Sequence, residues 1–165
     1  MVLNGAKWIK VDDQRGIMFR GFSHHNIDGK GRLIIPSRFK ELIQNGDRRG
    51  VMLSRLDGCL VAFPYDQWEK IEQKILSLPT KSDKLRRFRR IFMGGAFDCE
   101  CDKQSRIVIP PPLRGYAGLE KEVVLVGVLD HFEIWSKAKW EQEFEMMDQD
   151  ILDDEFKETI DWLGL

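Results

Sequence analysis

In two like segments of this chain an aspartate is followed four residues later by an arginine, DGKGRLIIP from Asp28 to Pro36 and DKQSRIVIP from Asp102 to Pro110. An aspartate that opens a tight turn can accept the turn amides and hold, across the turn, the guanidinium of the arginine that closes it. Arginine is also the side chain whose planar fork matches phosphate oxygens and guanine edges in bidentate contacts. Lys30 adds a positive charge to the first turn, where the second has Lys103 and Gln104. One such pair would read as a turn cap beside a surface arginine. Two in register argue for a surface that binds a polyanion, because stability alone seldom demands the same exposed arginine twice.

The two segments stand 74 residues apart, and what surrounds them repeats as well. Downstream of each comes an apolar strand pair around a turn, VMLSRLDGCLVAF from Val51 to Phe63 and VVLVGVLDHFEIW from Val123 to Trp135. Trp68 and Trp140 then fall 72 residues apart in helical patterns. One order of parts is used twice. FRGFSHHNI before Asp28 and RLII after it read as strands of a hairpin with Asp-Gly at its turn. Ser37 to Gln44 has helical spacing with Asn45-Gly46 as its stop, while Pro110, Pro111 and Pro112 allow only a short or irregular helix in the second copy. Asp66 to Leu78 is a helix with Asp66 and Glu69 as a capping box and Trp68, Ile71, Ile75 and Leu78 as its apolar stripe. Ser136 caps a helix through Trp140 and Phe144, and the tail adds a further turn or two around Phe156, Ile160 and Leu163. A unit of about 70 residues with short strands struggles to bury enough surface alone. The copies are therefore expected to share one core through intertwined hairpins, an α+β arrangement with a pseudo-two-fold axis and the Asp28 and Asp102 turns as related protrusions.

Charge divides the chain unevenly. From Glu141 to Leu165 ten acids face one base, Lys157, a charge of −9, which leaves 25 basic against 17 acidic residues, or +8, in the remainder. Such a body suits a polyanionic partner, and such a tail can repel or compete with it. With 42% hydrophobic and 32% charged residues the composition is that of a globular protein. The longest apolar run, Val123 to Leu129, is far short of the roughly 20 residues that span a bilayer. Residues 1–17 mix Lys7, Lys10, Asp12, Asp13 and Arg15, match no part of the repeat and form no secretory signal, so they are expected to be dispensable and the protein cytoplasmic. Cys59, Cys99 and Cys101 read as reduced structural thiols.

Three other groupings invite chemistry. Ser23, His24, His25 and Asp28 hint at a hydrolase, but adjacent strand residues face opposite ways and no nucleophile elbow is present. Cys99 and Cys101 lack the spacing and further ligands of a zinc site. A Lys81 to Phe92 helix sets Leu85, Phe88 and Phe92 on one face and Arg86, Arg87, Arg89 and Arg90 mostly on the other, a charge run that more often marks a solvated face or a contact between subunits than nucleic acid. No catalytic residue and no metal is expected.

MFRG at Met18 to Gly21, DGKGRLIIP, DKQSRIVIP, LRGYAGLEKEVVLVG and FEIW together resemble the MraZ family of bacterial transcriptional regulators, from Met18 to about Trp140. The resemblance implies two AbrB/SpoVT-type swapped-hairpin halves in one chain, a pseudo-dimeric β-barrel with flanking helices, and ring-shaped homo-oligomers. It implies control of the promoter of the division and cell-wall gene cluster, through direct repeats in double-stranded DNA, and association with the nucleoid. It carries over Lys30, Arg32 and Arg106 as DNA-facing residues, with Asp28 and Asp102 orienting the turns, and no cofactor, small-molecule substrate or membrane. The expected organisation is an extension over 1–17, repeats over 18–80 and 81–145, and an acidic tail over 146–165. The Pro110 to Pro112 run, the His24-His25 pair and the 17 leading residues depart from the family pattern. A protein-interaction scaffold with incidental DNA binding is the alternative from another class.

Overall fold

In the computed structural model, which describes residues 18–165, each copy of the repeat builds two strands, a helix, two further strands and a closing helix, and the first copy adds a short strand before its second pair. The expectation for residues 1–17 lies outside the described residues. The first copy has strands β1 (Phe22–Asn26) and β2 (Arg32–Ile34), then helix α1 (Ser37–Lys40), which tightens into a single turn over Glu41–Ile43. Strands β3 (Gln44–Asn45), β4 (Arg48–Leu56) and β5 (Cys59–Phe63) follow, and helix α2 (Tyr65–Leu76) closes the copy. Helix α3 (Asp83–Phe88) and a wide turn over Arg89–Met93 lead to the second copy. Its elements are β6 (Phe97–Glu100), β7 (Arg106–Val108), α4 (Pro111–Ala117), β8 (Glu122–Val128), β9 (His131–Ser136) and α5 (Lys137–Asp150). Helix α6 (Asp154–Trp162) ends the chain.

The strands of the two copies are exchanged. An antiparallel sheet runs β1-β8-β9-β5-β4-β3, with β6 also on β4, while β2 and β7 form a separate two-stranded ribbon. Strand β1 pairs with β8 from Phe22↔Val126 to Asn26↔Glu122, and its counterpart β6 pairs with β4 from Gly50↔Glu100 to Leu53↔Phe97. The hairpin ladder expected between β1 and β2 is therefore not formed, although its turn is. The apolar side of β2 carries Leu33 and Ile35, and burying it requires a matching apolar strand, which the other copy supplies as Ile107 and Ile109.

The shared core shows the repeat in its side chains. Leu33, Ile35, Phe39 and Ile43 of the first copy and Ile107, Ile109, Leu113 and Ala117 of the second occupy equivalent positions, and all are buried in one cluster. Phe39 stacks on Phe132 with ring centroids 5.1 Å apart, and Phe19 meets Phe39 edge-on at 5.1 Å. Each large aliphatic or aromatic side chain so buried contributes about 1.5–3 kcal/mol. A second cluster lies on the opposite side of β5 and β9, around Trp68, Phe92 and Trp135. Trp140 joins α5 to β1 by packing against Phe22 at 5.6 Å.

Several local expectations are corrected. The Asp66–Glu69 capping box is not made: α2 starts at Tyr65 behind Pro64, with no side-chain cap bond, and Leu78 lies beyond its end and is exposed. Asn45-Gly46 does not stop a helix but enters the β3–β4 turn, where Gln44 pairs with Arg49 and Asn45 with Arg48. The prolines of the second copy begin a regular helix, longer than α1, because the first helical turn has no internal amide bonds for proline to lose. Of Leu85, Phe88 and Phe92, only Phe92 is buried; its carbonyl accepts from Ser54 Oγ at 2.6 Å. Ser136 does cap α5, accepting from the Lys139 amide at 3.2 Å.

The β4–β6 exchange is latched from the side. Tyr65 Oη donates to Asp98 Oδ1 at 2.6 Å and Arg48 Nη2 donates to Asp98 Oδ2 at 2.6 Å, joining the first copy to the second. Gly50 lies beneath this latch, where an added Cβ would collide with Tyr65 Oη and come 2.6 Å from the Cys99 carbonyl oxygen. Gly50→Ala is expected to cost about 1–3 kcal/mol of stability by overpacking. Urea unfolding checks it, with Gly29→Ala, where a Cβ meets nothing within 4 Å, as the unaffected control.

Candidate nucleic-acid interface

The β2–β7 ribbon carries the candidate site. Its register is Arg32↔Val108, Leu33↔Ile107 and Ile34↔Arg106, so the turns that precede the two strands stand at opposite ends of one ribbon. Side chains alternate across a strand. Leu33 and Ile107 point into the core and are fully buried, and Arg32, Ile34, Arg106 and Val108 share the outer face.

The turns are built alike, bond for bond. In the first, Asp28 Oδ1 accepts from the amides of Lys30 at 2.9 Å and Arg32 at 3.0 Å, and Oδ2 accepts from Arg32 Nε at 2.6 Å. In the second, Asp102 Oδ1 accepts from the amides of Gln104 and Arg106, both at 2.9 Å, and Oδ2 accepts from Arg106 Nε at 2.8 Å. The backbone closes both turns in the same way, with Gly31 donating to the Asp28 carbonyl and Ser105 to that of Asp102, each at 3.0 Å. The side-chain bonds of both arginines run through Nε alone, so the terminal nitrogens of each guanidinium have no protein partner among the described residues.

These bonds set the charge state of the turns. The Arg32 amide, aided by the Arg32 side chain and the Lys30 amide, outweighs desolvation and holds the Asp28 carboxyl at about 2. The Arg106 amide leads the same downward shift at Asp102. A carboxyl lowered in the folded state stabilises it above the ordinary aspartate range and loses that contribution as the pH falls toward the folded value. Both carboxylates therefore stay ionised, and both arginines stay clasped, through neutral and mildly acidic pH.

Sequence reasoning missed Arg114. Its guanidinium lies under the first turn, so that a Cβ on Gly31 would sit 2.9 Å from Cζ, and its Nε is buried without a hydrogen-bond partner among the described residues. The repeat did contain the signal, since the matching position 74 residues earlier is Lys40, another cation. Lys40 is near enough to Cys101, beside the second turn, to oppose the upward shift that burial imposes on that thiol. The first turn is thus backed by a cation from the opposite copy.

The rival groupings do not assemble. Ser23 and His25 do meet, Oγ to Nε2 at 2.6 Å, because residues two apart share a strand face. Their third neighbour is a cation, Arg38, which donates to Ser23 Oγ at 2.8 Å and adds to the burial that lowers the His25 pKa. Asp28 is committed to its own turn. Burial pushes the Cys99 thiol up to about 12, far from a reactive thiolate. Among the described residues no group of three histidine, cysteine or acidic side chains is placed to hold a metal ion, and no helix is long and apolar enough to cross a membrane.

The family model described as "MraZ protein, putative antitoxin-like" matches residues 18–91 and again residues 92–162. The chain belongs to the MraZ family. The "Transcriptional regulator MraZ" of Desulforapulum autotrophicum is 53% identical over 148 residues, 90% of this chain and all of that protein. That of Desulfosudis oleivorans is 50% identical over the same shares. The relative from Pelotomaculum thermopropionicum is 52% identical over 75% of this chain and 83% of its own. These MraZ relatives are named as regulators, not as enzymes, and each of the two matched segments contains one Asp–Arg turn.

The turns differ in one strained position. Gly31 has φ +79, and its counterpart Ser105 has φ +59, in the left-handed region that disfavours a side chain. Relieving about 1–2 kcal/mol of left-handed strain outweighs the roughly 0.4–1 kcal/mol that a glycine adds to unfolded-chain entropy. Ser105→Gly is expected to raise the unfolding free energy by about 0.5–1 kcal/mol, measured by urea titration, and Gly31→Ser to lower it.

Proposed function

We propose that this chain is a sequence-specific DNA-binding transcriptional regulator that reads duplex DNA with its two Asp–Arg turns. Lys30, Arg32 and Arg106 contact phosphates and base edges, and Asp28 and Asp102 hold the arginines in position. The observation that supports this most is the pair of identical clasps at the ends of one exposed ribbon, each offering the unpartnered nitrogens of an arginine fork. A two-stranded ribbon is narrow enough to enter the major groove, where arginine is the commonest reader of guanine. The +8 body is consistent with a polyanionic partner, and the names carried by the MraZ relatives point the same way.

The finer reading follows the family resemblance. The exchanged strands close as an AbrB/SpoVT-type swapped-hairpin barrel, with repeats over 18–80 and 81–145 and an acidic tail over 146–165. Subunits join head to tail into a ring, so successive ribbons meet DNA in one orientation and favour direct repeats over a palindrome. The targets are the division and cell-wall gene cluster and the chain's own promoter, in the cytoplasm at the nucleoid. One subunit offers few contacts and binds weakly; linking several such sites raises affinity about 100-fold or more.

Arg32→Ala or Arg106→Ala is expected to leave assembly intact yet weaken promoter binding beyond the roughly 1–3 kcal/mol of one base contact, since every subunit in the ring carries the substitution. Gel shifts across a salt series on DNA from upstream of the gene measure it. A double variant with unchanged affinity and salt slope would move the assignment to the interaction scaffold.

A further inference from the structure

The outer face of the β2–β7 ribbon holds more than its arginines. Arg32 stands opposite Val108 and Arg106 stands opposite Ile34, a checkerboard of two cations and two branched aliphatic side chains. Ile34 is 56% and Val108 54% exposed, whereas Leu33 and Ile107, the residues beside them in the strands, are fully buried. These two apolar residues occupy the same position of the repeat. Strand propensity explains why such a position is β-branched, but threonine satisfies that preference equally and would leave less apolar surface in water.

We infer that Ile34 and Val108 are base-reading residues that pack against the C5-methyl groups of thymines in the major groove. The inference rests on the DNA-binding reading above and adds what lies between the arginine contacts. The arginines commit the occupant of this face to a polyanion, and the thymine methyl is the apolar group that duplex DNA presents in its major groove. The geometry suits that group. Side chains diagonal to each other on an antiparallel pair are about 7–8 Å apart, close to two base-pair steps of about 3.4 Å. A ribbon whose strands lie about 4.8 Å apart fits a groove about 12 Å wide. Ile34 and Val108 thus meet two thymines, two steps apart, between the guanines or phosphates held by Arg32 and Arg106.

The test compares one duplex from upstream of the gene, made with thymine or with deoxyuridine throughout, which differ only in the C5-methyl groups. The full-length protein is expected to bind the deoxyuridine duplex more weakly, by about fourfold for each methyl group that the ribbon would otherwise bury. An Ile34→Ala, Val108→Ala variant is expected to bind the thymine duplex more weakly and to lose nothing further on deoxyuridine, while Arg32→Ala, weaker overall, keeps the wild-type ratio between the duplexes. Equal wild-type affinity for the two duplexes overturns the inference and leaves DNA binding standing; no wild-type binding to either overturns the DNA reading itself. A full methyl effect retained in the alanine variant means that the methyls, or the shape they give the duplex, are sensed elsewhere. Loss of subunits from the variant in sedimentation, with the methyl effect retained, makes this face a contact between copies. Either result overturns the inference. The wild-type comparison requires no variant, and both side chains lie outside the core, so a thermal melt confirms that the variant is folded.

Discussion

Neither copy of the repeat has enough chain to bury both faces of its own strands. Leu33 and Ile35 need an apolar partner, and the partner of the right size is Ile107 and Ile109, which carry the same pattern. Pairing β2 with β7 satisfies both copies at once and frees β1 and β6 to complete the other copy's sheet. The functional geometry follows from this. Antiparallel pairing of two like strands puts their preceding turns at opposite ends of one ribbon, and strand alternation puts both arginines on the same side of it. A mutation that weakens the exchange, as at Gly50, therefore acts on the interface from a distance.

Within each turn a short-range balance decides the chemistry. A free arginine on a surface strand samples many rotamers, and fixing it on binding costs entropy. The carboxylate clasp fixes Nε beforehand and leaves the terminal nitrogens for a ligand. The clasp also lowers net charge, since every arginine comes with an aspartate. Orientation is thus gained at the expense of attraction, a poor exchange for nonspecific polyanion binding and a sound one for reading a defined edge. Arg114, behind the first turn, restores positive charge without occupying the outer face of the ribbon.

Much of this was legible in residue spacing. The Asp–Arg interval of four, repeated with Pro36 and Pro110 in register, located both turns and named their residues, because turn chemistry is local. The 74-residue offset implied a shared core. Pairing partners were not legible: an alternating pattern says which side of a strand is buried but not against what, so β1 and β2 looked like a hairpin ladder when each pairs with the opposite copy. Local signals also lost to tertiary demands. Tyr65 starts α2 ahead of the Asp66–Glu69 box because its hydroxyl is held by Asp98, and Asn45-Gly46 serves a strand turn because Arg48 begins β4 at once. Arg114 went unread because its value lies in contact with a turn distant in sequence.

Two forces have opposite signs at the clasp, which makes the central claim directly measurable. Asp28→Asn with Asp102→Asn keeps an acceptor for the turn amides but presents an amide group to each arginine Nε where a carboxylate stood, and removes two negative charges per subunit. If the arginines acted as charges alone, affinity for promoter DNA would rise. On the proposed reading they act as clasped and aimed forks, and the account predicts that the double variant, folded and assembled as before, binds promoter DNA more weakly than the parent at matched ionic strength. Equal or tighter binding would contradict it.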